Sequence, residues 1–287
     1  MRKLILGLAV VIALFSQNTN AQESQTSAGG KGLYFKSNVG YNFAISNSQH
    51  SYYETPLAAV PTPFWNTTET SGDDQIEVVD VNLGKGLNFG ATVGYMFNDR
   101  FGAELEVDYL LGSETEAKQT ELSGDYASQK LYSRMLQIKP TFVLSGGYTT
   151  INPYAKFGAI IGSGKVIEEY TQYDGTDLYE AEVEAKGGIA FGFHAGLGMS
   201  FGLTSNLSLF GELNMNNLNY APKEGEMTKY TRNGVDELAT LDISQKEYEY
   251  TENPTMGSGG PSQPTKAPKT SYNYGTLGLN IGLKYSL

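Results

Sequence analysis

Hydrophobic and polar residues alternate one by one along much of this chain. In residues 33–44 the odd positions read Leu, Phe, Ser, Val, Tyr, Phe, and the even positions read Tyr, Lys, Asn, Gly, Asn, Ala. Successive side chains of a β-strand point to opposite faces, so this pattern predicts a strand with one apolar and one polar face. The same alternation predicts seven more strands, at 86–97, 101–112, 131–144, 151–162, 188–202, 207–219 and 274–287.

These segments are long for strands. Each spans between twelve and fifteen residues, whereas strands of globular proteins average about five or six. A tilted strand that crosses a bilayer needs about nine to eleven residues. The length therefore favours an all-β fold, a transmembrane antiparallel up-and-down β-barrel of eight strands.

The two faces of the predicted strands differ in charge. The apolar face carries a single charged residue, Arg134, which we expect at the level of the lipid headgroups. A soluble lipocalin-like barrel would turn this face inward. The other face is rich in glycine, which suits a crowded lumen, and the apolar face has Tyr and Phe near strand ends, as interfacial girdles require. We therefore predict a lumen that holds eight charged residues: Lys36, Glu104, Glu106, Asp108, Lys139, Lys156, Glu212 and Lys284.

An eight-stranded barrel is only just wide enough for side chains to fill it. Four acidic and four basic residues on the polar face should therefore neutralise one another. Counting each residue from the end of its strand, we expect Lys139 to pair with Glu106 and Lys284 to pair with Glu212.

The connections between the predicted strands alternate in length. Those at 98–100, 145–150 and 203–206 are short, and the others are long: 45–85, 113–130, 163–187 and 220–273. Short turns on one rim and long loops on the other are typical of outer-membrane barrels. An even strand number places both ends of the barrel on the short-turn, periplasmic side. A ten-stranded variant stays open, because 229–232 and 247–250 would suit a further hairpin.

The first residues have the pattern of an export signal. Met1-Arg2-Lys3 is basic and Leu4 to Phe15 is apolar, which predicts a signal peptide at 1–21 that is cleaved after Ala21. Residues 22–287 then form the barrel domain. The chain is expected to reach the bacterial outer membrane.

Three segments resemble a known family. Asn152 to Gly158, Gly192 to Gly198 and Leu277 to Leu287 are similar to strands of small eight-stranded outer-membrane β-barrel proteins, the OmpA-like group in the style common in Bacteroidetes. The resemblance implies a monomer surrounded by outer-membrane lipid and lipopolysaccharide. It also implies that the last strand is read by the barrel assembly machinery, although Leu287 stands where that signal has Phe.

Composition excludes several classes of function. A formal charge of −11 argues against nucleic-acid binding. The chain has no cysteine and only two histidines, His50 and His194, so we predict neither a metal site nor a cofactor. We predict no catalytic site either, because His194 and Ser200 share a lumen face but lie roughly 20 Å apart along the strand.

Function is therefore expected at the loops. Residues 163–187 carry seven acids, including Glu168, which a solvated surface or a binding surface would explain. The aromatic residues of the first loop make it the candidate surface for a host or envelope ligand: Tyr52, Tyr53, Phe64 and Trp65. We predict a structural or surface-interaction role in adhesion or envelope integrity, with the lumen plugged by charges. The alternatives are a small transport pore or a lipid-modifying enzyme.

Overall fold

A computed structural model describes residues 31–45, 65–68, 75–252 and 260–287. This part of the chain is mostly β-structure, with one 3-10 turn at Leu238–Thr240 and a four-residue helix at Ile243–Lys246. No helix in these ranges is long and apolar enough to span a membrane. In chain order the strands are β1 Gly32–Ala44, β2 Trp65–Thr68, β3 Gln75–Val78, β4 Gly86–Met96, β5 Phe101–Gly112, β6 Thr115–Thr120, β7 Tyr126–Ser145, β8 Ile151–Tyr173, β9 Leu178–Lys186, β10 Ala190–Gly202, β11 Leu207–Tyr220, β12 Glu224–Arg232, β13 Val235–Asp236, β14 Glu247–Thr251, β15 Thr265–Pro268, β16 Tyr272–Asn273 and β17 Thr276–Ser286.

Eight of these strands form a closed antiparallel ring. Its order is β1, β4, β5, β7, β8, β10, β11 and β17, and the pairing of β17 with β1 closes it. The ring strands are the eight that the alternation predicted, so the predicted all-β barrel of eight strands is confirmed. The segments considered for a ten-stranded variant lie outside the ring, in β12 and β14.

The ring turns its apolar face outward. Large apolar side chains on five different strands are between 41% and 63% exposed: Val39, Leu105, Ile138, Leu197 and Ile281. Their neighbours along each strand face the lumen and are buried or half-buried, as alternation requires. A band of exposed Leu, Ile, Val and Phe around a closed ring is stable only in contact with lipid. Arg134 is exposed on this outward side, opposite Leu111 and Lys165, where the band ends.

Two ring strands continue well beyond the apolar band. β7 has 20 residues and β8 has 23, and they stay paired as far as Tyr126 and Tyr173. We take 134–145 and 151–162 as their membrane-spanning parts. Their outer ends form an extracellular sheet together with β6, β9, β12, β14 and β15.

The expectation that 163–187 is a loop is therefore wrong. Most of it forms the outer end of β8 and the whole of β9, joined at a turn near Gly175. Glu180 to Ala185 alternate acidic and small apolar residues, and the sheet places the apolar ones on its buried face. The other long loops also contain short strands, β2 and β3 in the first, β6 in the second and β12 to β16 in the last.

Candidate functional site

The structure places all eight predicted charged residues inside the ring, where each is buried. They come from six strands, β1, β5, β7, β8, β11 and β17. On one side of the lumen, the Lys139 ammonium lies 3.0 Å from Glu106 and 2.9 Å from Asp108. The expected pairing of Lys139 with Glu106 is present.

Lys156 is the centre of this charge belt. Its ammonium lies 2.7 Å from a Glu106 oxygen, 2.9 Å from Glu212 and 3.9 Å from Glu104. Since a buried carboxylate is costly unless it is paired and hydrogen-bonded, one ammonium thus stabilises acids on two different strands. The belt ties β5, β8 and β11 together across the lumen.

Two tyrosines complete the belt. The Tyr34 hydroxyl donates a hydrogen bond of 2.7 Å to Glu104, which is also ion-paired with Lys36. The Tyr154 hydroxyl donates one of 2.9 Å to Glu212. Sequence reasoning missed both tyrosines, although both occupy even positions, which the alternation assigns to the lumen face of their strands.

The expected pairing of Lys284 with Glu212 is wrong. In the ladder of β11 and β17, Lys284 lies opposite Ser208, and Glu212 lies opposite Asn280. The Lys284 ammonium instead sits 4.2 Å from the centre of the Tyr34 ring, a cation–π contact. Strands of a barrel are staggered, so equal distances from two strand ends do not mean equal heights in the lumen.

A glycine makes room for the contact between Lys156 and Glu212. Their strands, β8 and β11, are separated by β10, where Gly196 faces the lumen. A Cβ atom at Gly196 would lie 3.0 Å from Cε of Lys156 and 3.2 Å from Cδ of Glu212. The missing side chain lets the ion pair pass over the strand between its partners.

Replacing Gly196 by Val should therefore destabilise the barrel by about 1–3 kcal/mol, the usual cost of overpacking a filled interior. Urea unfolding of the detergent-solubilised protein, followed by circular dichroism, measures the change. Gly211→Val is the control, since a Cβ there has open space within 4 Å. Equal stability of the two variants would contradict the proposed role of Gly196.

The histidine of the lumen has an amide partner. His194 Nδ1 lies 2.7 Å from Oδ1 of Asn216, and the Ser200 hydroxyl lies 3.5 Å from the backbone oxygen of Asn152. The structure does not bring His194 and Ser200 together. Within the described ranges, no three His, Asp or Glu side chains are arranged to hold a metal ion.

An apolar plug fills the lumen on the extracellular side of the charge belt. Ring residues such as Leu110, Met135 and Ile160 have essentially no exposed surface there. They pack in one cluster with residues of the connecting segments: Val81, Leu83, Ala117, Tyr250, Tyr272 and Tyr274. Sequence reasoning missed this plug, because isolated apolar residues in long polar loops give no periodic signal.

A polar anchor fixes the plug to the wall. The Ser133 hydroxyl donates a hydrogen bond of 2.6 Å to the backbone oxygen of Leu83, and Asn82 donates one of 2.9 Å to the backbone oxygen of Gly275. At the periplasmic end, a cavity of about 20 Å³ lies between Lys36, Lys284 and Ser200. This is room for about one water molecule.

The acids of the third predicted loop fall on both faces of the extracellular sheet. Glu180 and Glu184 lie on its outer face, where Lys229 is 3.1 Å from Glu180 and Lys165 is ion-paired with Glu184. Glu168 points inward and is only 5% exposed. Burial raises the pKa of Glu168 to about 7. The expectation of a solvated acidic surface is therefore wrong for this residue.

The predicted aromatic surface of the first loop lies mostly outside the described residues. Tyr52, Tyr53 and Phe64 belong to that part of the chain, as does the predicted signal peptide at 1–21. Trp65 begins β2, where its backbone pairs with Val78. The interaction role of these four residues stays a prediction.

Two solved structures of outer-membrane proteins are similar to this chain. OprG from Pseudomonas aeruginosa is 13% identical, with a TM-score of 0.40, over 92% of this chain and 99% of the other. Ail, the attachment invasion locus protein of Yersinia pestis, solved with the heparin analogue sucrose octasulfate, is 11% identical, with a TM-score of 0.29, over 88% and 99%. No curated protein matches the chain.

A family model matches most of the chain. It describes an outer membrane protein beta-barrel domain and covers residues 7–236 of the 287. The match includes seven of the eight ring strands and all charges of the lumen belt except Lys284. The closed ring, its outward apolar band and this match agree, and the chain belongs to the outer membrane protein beta-barrel domain family.

Proposed function

We propose that this outer-membrane barrel is a closed, non-catalytic scaffold that acts at the cell surface through its extracellular sheet and loops. The observation that carries the proposal is the double closure of the lumen. The charge belt crosses the periplasmic half, and the apolar plug fills the extracellular half. A solute would have to displace both layers, which differ in chemistry.

The charge belt is a poor lining for a channel. Its ion pairs are 2.7–3.0 Å long between Lys156 or Lys139 and their principal acids, and the side chains involved are almost fully buried. Opening a path would separate charges inside a low-dielectric interior, which is strongly unfavourable. The geometry thus favours a structural or surface role over transport.

The extracellular sheet is the surface that remains for a partner. It is built from regular strands, and its outer face carries the ion pairs of Lys186 with Glu226, at 2.9 Å, and of Lys229 with Glu180, at 3.1 Å. We assign to it, with the loops, a role in adhesion or envelope integrity. Outer-membrane lipid and lipopolysaccharide surround the barrel in this proposal, and Arg134 meets their phosphates.

The closed lumen can be tested in planar bilayers. Purified wild-type protein is expected to show little steady conductance. A variant with Lys139, Lys156, Glu106 and Glu212 all changed to Ala empties the centre of the belt, and it should also stay closed because the apolar plug still fills the extracellular half. Large, stable, ohmic channels from the wild-type protein would contradict the proposal and favour the small transport pore.

The surface role needs a separate test. Replacing residues 221–271 by a short Gly-Ser turn removes much of the extracellular sheet and leaves the ring strands intact. If the barrel still shows heat-modifiable migration in gels, loss of binding to host matrix or of envelope integrity supports the proposal. Unchanged binding and unchanged envelope integrity would oppose the proposal. Chemical alteration of lipid A by the wild-type protein would also oppose it and would favour a lipid-modifying enzyme.

A further inference from the structure

A buried carboxylate lies in β8 beyond the membrane. Glu168 is six residues past Gly162, where the membrane-spanning part of the strand ends, and it faces the interior of the extracellular sheet. Its ladder partners are Leu131 on β7 and Val183 on β9, both apolar. Only 5% of Glu168 is exposed.

No cation neutralises this carboxylate in the part of the chain that the structure describes. The side-chain amide of Gln129 on β7 donates a hydrogen bond to it. The other titratable groups that face it are phenols, Tyr170 on its own strand and Tyr248 and Tyr250 on β14. A buried acid with this environment is far cheaper to hold protonated than ionised.

The charged residues on the same strands point away from it. By alternation, Lys130 of β7, Glu169 of β8 and Glu182 and Glu184 of β9 lie on the outer face of the sheet. Tyr132 donates a hydrogen bond of 2.8 Å to Glu169 there. The interior around Glu168 therefore holds one acid, one amide, phenols and apolar groups.

The strand that covers Glu168 is attached by few ladder pairs. β14 pairs with β12 through only three residues, Glu247 to Glu249, and with β15 through a four-residue parallel ladder. Tyr250 is buried in the apolar plug, where Gly225 leaves room for its hydroxyl. Because its ladders are short, β14 is the covering strand that can move aside if Glu168 must reach water.

We propose that Glu168 is a proton-binding site that controls the closure of β14 over the barrel wall. With the proton bound, the neutral acid stays beneath Tyr248 and Tyr250 and the strand is closed. When the proton leaves, the carboxylate becomes solvated, and β14 moves away from the wall.

The direction of the pH effect follows from burial. In the closed state, burial raises the pKa of Glu168 from its ordinary value of 4.5 to about 7. Closure is therefore fully favoured below about 4.5. It weakens by up to about tenfold per pH unit as the pH rises toward 7, and changes little above that value.

Hydrogen exchange measures this equilibrium directly. The protein is placed in lipid nanodiscs between pH 5 and pH 8, and exchange of the 247–251 amides is corrected for its intrinsic pH dependence. Wild-type protection should fall by up to about tenfold per unit up to pH 7 and then level off. Amides of β4 in the ring serve as an internal reference and should not change.

Matched variants separate Glu168 from the other acids. Glu168→Gln keeps the shape and the contact with Gln129, and should make the protection of β14 independent of pH. Glu169→Gln, the adjacent residue on the outer face, should keep the wild-type profile. Constant wild-type protection from pH 5 to pH 8, or a Glu168→Gln profile that still falls with pH, would overturn the proposal. The charge belt stays closed in either state, so this result does not depend on the conductance of the barrel.

Discussion

Replacing Lys156 by Met is expected to destabilise the barrel by about 3–5 kcal/mol. The ammonium of Lys156 is the one cation within 4 Å of Glu212 among the described residues, and it also contacts Glu106. Its loss would leave Glu212 with only the hydrogen bond from Tyr154. Urea unfolding in detergent, followed by circular dichroism, gives the change in free energy.

A second lysine of the same strand provides the control. Lys165 lies on β8 beyond the membrane and pairs with Glu184, but its side chain is 36% exposed. Since exposed ion pairs contribute little, Lys165→Met should cost less than about 1 kcal/mol. Similar losses for the two Met variants would show that the charge belt is not a buried network.

The partner of Glu212 can be identified by rescue. Adding Glu212→Gln to Lys156→Met removes the unpaired acid and should recover part of the lost stability. Adding Lys284→Met should recover nothing, because Lys284 contacts the Tyr34 ring rather than a carboxylate. A further loss on adding Lys284→Met, as large as that of Lys156→Met itself, would instead indicate that Lys284 pairs with Glu212, as counting from the strand ends suggested.

Ile138→Arg should destabilise the barrel by about 2–4 kcal/mol, the cost of an arginine on the lipid face near the midplane. Ile138 is 41% exposed on the outward face and lies opposite Val107 and Ile161, in the middle of the apolar band. Unfolding of the variant in lipid vesicles with urea measures the difference from wild type.

Leu144→Arg is the matched control for this change. It lies on the same strand and face, near the periplasmic rim, and is 44% exposed. An arginine there reaches the interface and should cost about 0–1 kcal/mol. Phe142 is less suitable, because its ring packs 6.0 Å from the ring of Phe157. If Ile138→Arg were as stable as wild type, the lipid-facing assignment of β7 would be wrong.

The alternation of side chains predicted the ring well because each ring strand meets lipid on one face and a filled lumen on the other. The same signal is present in Glu180 to Ala185, but there the polar face is charged and the apolar residues are small. That pattern also suits a solvated loop. Its strand character depends on β8 and β12, which supply pairing partners on both sides.

The candidate site was only partly predictable. The alternation of apolar and polar residues assigned the eight charged residues to the lumen. Because four are acidic and four are basic, we expected them to neutralise one another. Which of these charged residues meet depends on the stagger between strands, and the stagger cannot be obtained from a single sequence. The apolar plug was even less predictable, because Leu83 and Tyr274 come from different connecting segments and meet only after the ring has closed.

The length of β7 and β8 makes the barrel a rigid support for a displayed peptide. Eleven residues of β8 lie beyond its membrane-spanning part, so at about 3.3 Å per residue and a tilt near 40° its tip stands roughly 25–30 Å above the hydrocarbon. The turn at that tip is closed by Asp174, whose side chain accepts backbone hydrogen bonds of 3.1 Å from Thr176 and 2.8 Å from Asp177. A short epitope inserted at Gly175 would be presented to antibodies clear of the lipid surface, at a point far from every charge of the lumen.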